Sequence, residues 1–213
     1  MTIRIVGLKE RHTVLPSEVL VDTTSKSRSE WTTELSPFHL GPCTLYDGHT
    51  AQRMENAWQY AKCYADHVDV DGQPSVDYWA WAKAGWAQTD AVRYPRGKGA
   101  RPAFSWWEGK PLGYIEARLS VYWPLYRDAV AKTAAFARLT KLVAAKQNIV
   151  LFDFDGYDYE ARNMTFADAM RLDTRPMGHA FVLKAMLLHG PTISAQQVLE
   201  FEAPPPTPQA SLF

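Results

Sequence analysis

Long apolar runs are missing from this 213-residue chain. No stretch approaches the roughly 20 apolar residues of a membrane-spanning helix, so no membrane partner is expected. The start lacks a basic segment followed by an apolar one, and no signal peptide is expected either. Surplus charge is missing too, because 23 Lys and Arg balance 23 Asp and Glu. A chain without cationic excess neutralises few phosphates, which argues against strong sequence-independent nucleic-acid binding by the chain alone. Cysteine is scarce. Cys43 and Cys63 make neither a disulfide framework nor a metal-ligand spacing. Two reduced thiols in a cytoplasmic protein are expected, with no metal and no cofactor.

Aromatic residues are abundant. Eight Trp and ten Tyr fit either an aromatic core or a cleft that stacks planar groups. "TIRIVG" and the second half of "VLPSEVLVDTTSKS" read as strands, and "LSPFHLGPCTLYDG" as a shaped loop leading into a short strand. "MENAWQYAKCYADHV" has the period of a helix, with Met54, Ala57, Trp58, Ala61, Ala65 and Val68 on its buried face. "VDYWAWAKAGWAQ" predicts a second helix. "RYPRGKGARPAFSWWEGKPLG" predicts a long loop holding a short strand.

"YIEARLSVYW" reads as helical, and Pro124 starts or kinks the helix that follows. "LYRDAVAKTAAFARLTKLVAA" reads as one helix and "NIVLFDF" as a buried strand. Thr165 and Asp168 form a capping-box variant ahead of "FADAMRL". "GHAFVLKAMLLHGP" predicts the last helix. The expected class is α+β, a mainly helical domain with a small sheet over residues 1–202, followed by a Pro-rich flexible tail over 203–213.

Three constellations suit chemistry. Glu55, Gln59, Lys62 and Asp66 form a polar stripe beside Trp58, which is either a solvated helix face or a cleft wall. Arg93, Arg96, Lys98 and Arg101 surround Gly97 and Gly99, the composition of an exposed basic loop or of a phosphate contact. In "LFDFDGYD", strand geometry sends Asp153 and Asp155 to one side and Phe152 and Phe154 to the other. Two close carboxylates suit acid/base work, and one Asp capping the turn at Gly156 is the plain alternative. Arg118 and Tyr122, spaced i, i+4, either clamp an anion or pack. His179 opens the last helix as a cap or packing residue.

In order, "TSKS", "LSPF", "MENAWQYAK", "AVRYPRGKGA", "YIEARLSVYWPLY", "DFDGYD" and "MGHAFVLKAML" resemble, as a set, a bacterial and phage family. Through "LSPF" and "MENAWQYAK" the chain is similar to the NADAR superfamily, whose members act on ADP-ribose-like N-glycosides. The matching positions are Ser36, Pro37 and Phe38, then Glu55, Trp58, Gln59 and Lys62. Where that superfamily has His after its Glu, this chain has Asn56, and "DFDGYD" is the nearest counterpart of its later Asp-x-x-Trp-Gly element.

The resemblance implies a NADAR-like fold and hydrolysis of an N-glycosidic bond to ADP-ribose or a modified base, with no cofactor. It makes Glu55 the first catalytic candidate and Asp153 or Asp155 the second. Arg93, Lys98 and Arg118 would hold phosphates, and Phe38, Trp58 and Tyr122 would stack the base. Two other readings stand beside it: a non-catalytic nucleotide-sensing adaptor, and a phage enzyme of nucleotide or DNA-base modification.

The chain closes on "PPPTPQASLF". Gln209, Leu212 and Phe213 resemble the short peptide by which bacterial replication and repair proteins bind the DNA polymerase sliding clamp. An extended proline spacer would present that peptide away from the domain. Tethering to the clamp would bring a neutral protein to DNA without a basic face.

Overall fold

The computed structural model describes residues 1–202. The expected clamp peptide, Gln209, Leu212 and Phe213, lies outside the described residues. Strand β1 (Ile3–Val6), β2 (Val19–Asp22) and the last strand, β8 (Ile149–Phe152), form a parallel sheet in the order β1–β8–β2. Its central strand reads Ile-Val-Leu-Phe and is buried along its whole length, as a strand covered on both faces must be. Ile149 and Leu151 face the main core together with Ile3, Ile5 and Val21. Val150 and Phe152 pack with Val6 under Val14 on the other face.

Between β2 and β8 run most of the other elements. Helix α1 (Glu30–Thr33) is followed by the two-residue strands β3 (Cys43–Thr44) and β4 (Thr50–Ala51). Then come α2 (Met54–Gln59), β5 (Lys62–Cys63) and α3 (Val76–Trp86). A hairpin of β6 (Phe104–Trp107) and β7 (Lys110–Leu112) extends β5 into an antiparallel sheet. Its turn is Glu108–Gly109, both at positive φ, as a two-residue hairpin turn matched to strand twist requires.

Six α-helices follow among the described residues of the second half. Helix α4 (Tyr114–Ala117) runs through a π-helical turn, Arg118–Tyr122, into α5 (Trp123–Val130), and α6 (Ala134–Ala144) comes next. Beyond β8 lie α7 (Phe166–Arg171), α8 (His179–His189) and α9 (Ala195–Phe201). Residues 179–187 of α8 are all buried, mostly apolar with His179 and Lys184 among them, and the helix forms the central pillar against β1, β8 and α5. The architecture is α+β, and no helix among the described residues is long and apolar enough to cross a membrane.

Several expectations change. The helix expected over residues 54–68 ends at Gln59. Lys62 and Cys63 instead pair with Ser105 and Phe104 of β6, and Ala65 is exposed. Tyr60 turns the chain, with its ring seated on Gly85, where a Cβ would stand 2.0 Å from the ring. The single helix expected over 125–145 is two, because Thr133 accepts the Phe136 N–H and caps α6. Pro124 stands in the first turn of α5, one of the two places expected for it, directly after the π turn. It has no N–H for the carbonyl four residues back, and the π turn absorbs the mismatch. Helix α8 is not the last, since Ser194 and Gln197 form a capping box that opens α9.

Candidate functional site

One cleft of about 570 Å³ gathers most of the residues singled out in the sequence. It opens at the C-terminal ends of the parallel strands β2 and β8 and is closed by α2, the π turn and the head of α8. The Ser36–Pro37–Phe38 loop shapes one wall. Its Pro37 carbonyl accepts the Glu55 N–H at 3.0 Å and the Leu40 carbonyl accepts the Met54 N–H at 2.9 Å, so this loop caps α2.

Within α2 the i, i+4 spacing is realised directly. Gln59 Nε2 donates to Glu55 Oε1 at 2.8 Å, and Lys62 Nζ donates to Gln59 Oε1 at 2.7 Å. Lys62 Nζ lies 4.9 Å from the Trp58 ring centre, and Trp58 meets Tyr122 edge-on at 5.3 Å. Glu55 is 5 % exposed. Burial holds its carboxyl above the usual range, against the pull of Gln59, Lys62, Arg93 and His179. Burial likewise pushes the Lys62 ammonium down to about 8, with Glu55 opposing. Both groups thus shift towards their uncharged forms. Asp66 does not join this stripe, because the helix has ended and Asp66 pairs with Arg96 at the surface.

The Asp153 and Asp155 pair divides its duties. Strand β8 stops at Phe152, and Asp153 Oδ1 accepts the Asp155 N–H at 3.2 Å, which closes the turn at Gly156. Oδ2 accepts the Ala180 N–H at 3.2 Å, so the carboxylate sits on the N-terminus of α8. Gly178 makes room for it, since a Cβ there would stand 2.0 Å from Oδ2. His179 links the pieces: Nε2 lies 2.8 Å from the Thr23 carbonyl and Nδ1 lies 3.2 Å from Asp153 Oδ2. Because the carbonyl only accepts, Nε2 carries the hydrogen of that bond. Asp155 reaches Arg93 Nη2 at 2.5 Å. Burial and then Asp153 raise the Asp155 carboxyl, with Arg93 opposing. The expected alternation past Phe152 fails, because Phe154 also lines the cleft.

Arg118 lies in the cleft wall, 2 % exposed. It is not a free anion clamp, because its guanidinium donates to the carbonyls of Met170, Leu172 and Arg175 at 2.8–3.0 Å. Lys98 is exposed and lies off the cleft, so the loop contributes Arg93 and Tyr94 instead. Ser36, Phe38, Trp58 and Tyr122 line the cleft as expected.

The motif Thr24–Ser27 carries no site role in the sequence, yet Thr24–Lys26 form a cleft wall. The structural work of Asn56 and the proximity of His179 to Asp153 have no sequence signal either. Asn56 Nδ2 donates to the carbonyls of Gln88 and Asp90, and its Oδ1 accepts the Val92 N–H at 2.8 Å. The fully buried Asn56 therefore ties the Arg93 loop to the Glu55 helix.

Fold and cleft define an α+β domain with a buried carboxyl–amide–amine line along one aromatic-walled pocket. The chain belongs to DUF6939, a family of unknown function, whose pattern it matches over residues 5–183. Comparison with curated proteins and with solved structures finds no match.

Proposed function

We propose that the protein is an N-glycosidase that hydrolyses the bond between an ADP-ribose-type sugar and a base, with Glu55 as its proton-transfer residue. The observation that carries the reading is the Glu55 carboxyl. It is buried at the cleft wall, and Oε1 is fixed by Gln59. Among the described residues, Oε2 takes no hydrogen bond from the protein. A carboxyl whose pKa is raised by burial keeps its proton closer to neutrality and suits a general acid.

In the forward step Glu55 Oε2–H protonates the leaving base nitrogen as the C1′–N bond breaks. The sugar becomes an oxocarbenium-like cation, next to the carboxylate that Glu55 has become. Water then adds to C1′ and returns a proton to Glu55. Trp58, Tyr122 and Phe38 offer planar faces to the base, and Arg93 offers charge to the phosphates. Asp153 serves by positioning, since its carboxylate is engaged by His179 and two main-chain N–H groups.

Similarity to the NADAR superfamily over residues 35–62 supports the same reading, as does the side-by-side placement of those residues in the cleft. The Gln209, Leu212, Phe213 pattern supports action at the sliding clamp, where DNA is at hand. Incubation with ADP-ribosylated DNA, NAD and ADP-ribosyl nucleosides, followed by mass spectrometry, tests the activity. Free ADP-ribose is the expected product from all three, beside unmodified DNA, nicotinamide or the nucleoside respectively. Saturable binding with no product after long incubation would instead support a nucleotide sensor.

A further inference from the structure

Arg93 and Asp155 come from loops 62 residues apart and meet at the solvent-facing end of the cleft. Their side chains are 32 % and 31 % exposed, against 5 % for Glu55 and 4 % for Asp153 in the same cleft. The Arg93 side is held by Asn56, which fixes the main chain at residues 88–92. The Asp155 side is held only through its main chain, by the N–H given to Asp153. Asp155 is therefore the partner that can turn away at a rotamer's expense while Arg93 stays in place.

Charge within the cleft points the same way. Lys26, Lys62, Arg93 and Arg118 line it, against Glu55, Asp153 and Asp155. Arg118 is buried on carbonyls, and among the described residues no carboxylate lies within ion-pair distance of it. Asp153 already occupies the N-terminus of α8, 3.2 Å from His179 Nδ1. With Asp155 turned out, the mouth of the cleft presents cations that nothing else neutralises.

We propose that the mouth of the cleft is a subsite for a phosphate-ester or pyrophosphate anion, with Arg93 as receptor and Asp155 as an internal counter-ion that the ligand replaces. The planar guanidinium fork that now meets one carboxylate oxygen fits two phosphate oxygens equally well. Asp155 is on this account a gatekeeper of binding rather than a base. It keeps Arg93 paired when the cleft is unliganded and excludes ligands too weakly anionic to displace it. The identity of the ligand's organic part rests on the N-glycosidase reading. The anion subsite does not, and it requires no turnover.

Calorimetric titration of the full chain with inorganic pyrophosphate, and in a second arm with ADP-ribose, separates the possibilities. Removing the competing carboxylate in Asp155→Asn is expected to tighten pyrophosphate binding about threefold, the scale of a partly exposed ion pair. Arg93→Ala is expected to weaken it about tenfold, the scale of a charge-assisted hydrogen bond. Arg93→Lys, which keeps charge but loses the fork, is expected to fall between the two and covers the case of an unstable Arg93→Ala. Asp155→Asn binding pyrophosphate no tighter than the parent overturns the proposal. So do unchanged affinity in both Arg93 variants and a lack of saturable pyrophosphate binding by both parent and Asp155→Asn. Tighter ADP-ribose binding in Asp155→Asn locates the natural anion on a nucleotide. Tightening confined to pyrophosphate locates it on a smaller phosphate. Failure to detect glycosidic cleavage leaves these affinity ratios standing, so the two readings fail separately.

Discussion

Glu55 is buried and Lys62 half-buried; the two are joined through the Gln59 amide, and desolvation moves each towards its neutral form. Lys62 in the folded chain titrates near 8 rather than 10.5. Between those values the unfolded chain holds a proton that the folded chain has shed, so this group makes stability rise with pH across that window. Glu55 works in the opposite direction at lower pH. The folded chain holds its proton longer, and stability falls as pH rises from the usual carboxylate value to the raised one. Denaturant unfolding of the parent and of Lys62→Met at pH 7.5, 8.5 and 9.5 is expected to show the alkaline gain in the parent alone. Equal pH dependence in both proteins would contradict the assignment. Activity under the proposed mechanism declines on the alkaline side, as Glu55 loses the proton it must donate.

Among the elements, α2 and the Arg93 loop act as one unit through Asn56. The stripe that continued past Gln59 in the sequence obeyed helical spacing, but strand pairing of Lys62 and Cys63 with β6 overrides it. Replacing Asn56 by Ala leaves two carbonyls and one N–H of residues 88–92 without their partner. It is expected to cost about 2 kcal/mol and to speed tryptic cleavage at Arg93 and Arg96. Unaltered stability together with unaltered cleavage would show that the loop is held by other contacts. The capping signals had uneven visibility. Thr165 with Asp168 was readable as a box and forms one. Ser194 with Gln197 carries the same signature, but the Gly190–Pro191 stop just before it masks it.

At the scale of the whole molecule, the residues that line the cleft were more legible than the order of the strands. Glu55, Gln59 and Lys62 lie close in sequence, so local spacing sufficed to bring them together. The parallel pairing of β1 and β2 with β8 joins segments about 130–145 residues apart and leaves no local trace. The roles of Asn56 and His179 depend on main-chain groups contributed by distant loops, which side-chain types do not announce. Lys98 shows the reverse failure, a cation in suitable company whose loop carries it to solvent.

The clamp assignment also belongs to this scale. Deleting residues 209–213 is expected to abolish binding to a bacterial sliding clamp in a fluorescence polarisation assay while sparing activity on small soluble substrates. Clamp binding that survives the deletion would contradict it.

The most direct measurement is a time course of ADP-ribose release, followed by mass spectrometry, for the parent and Glu55→Gln on the same ADP-ribosylated substrate. Gln at position 55 can still accept the Gln59 amide hydrogen bond, so an unchanged melting temperature is expected. The account predicts release by the parent and at least a hundredfold loss in the variant, about the scale of one general acid. Release at parental rate by a folded Glu55→Gln protein would contradict it.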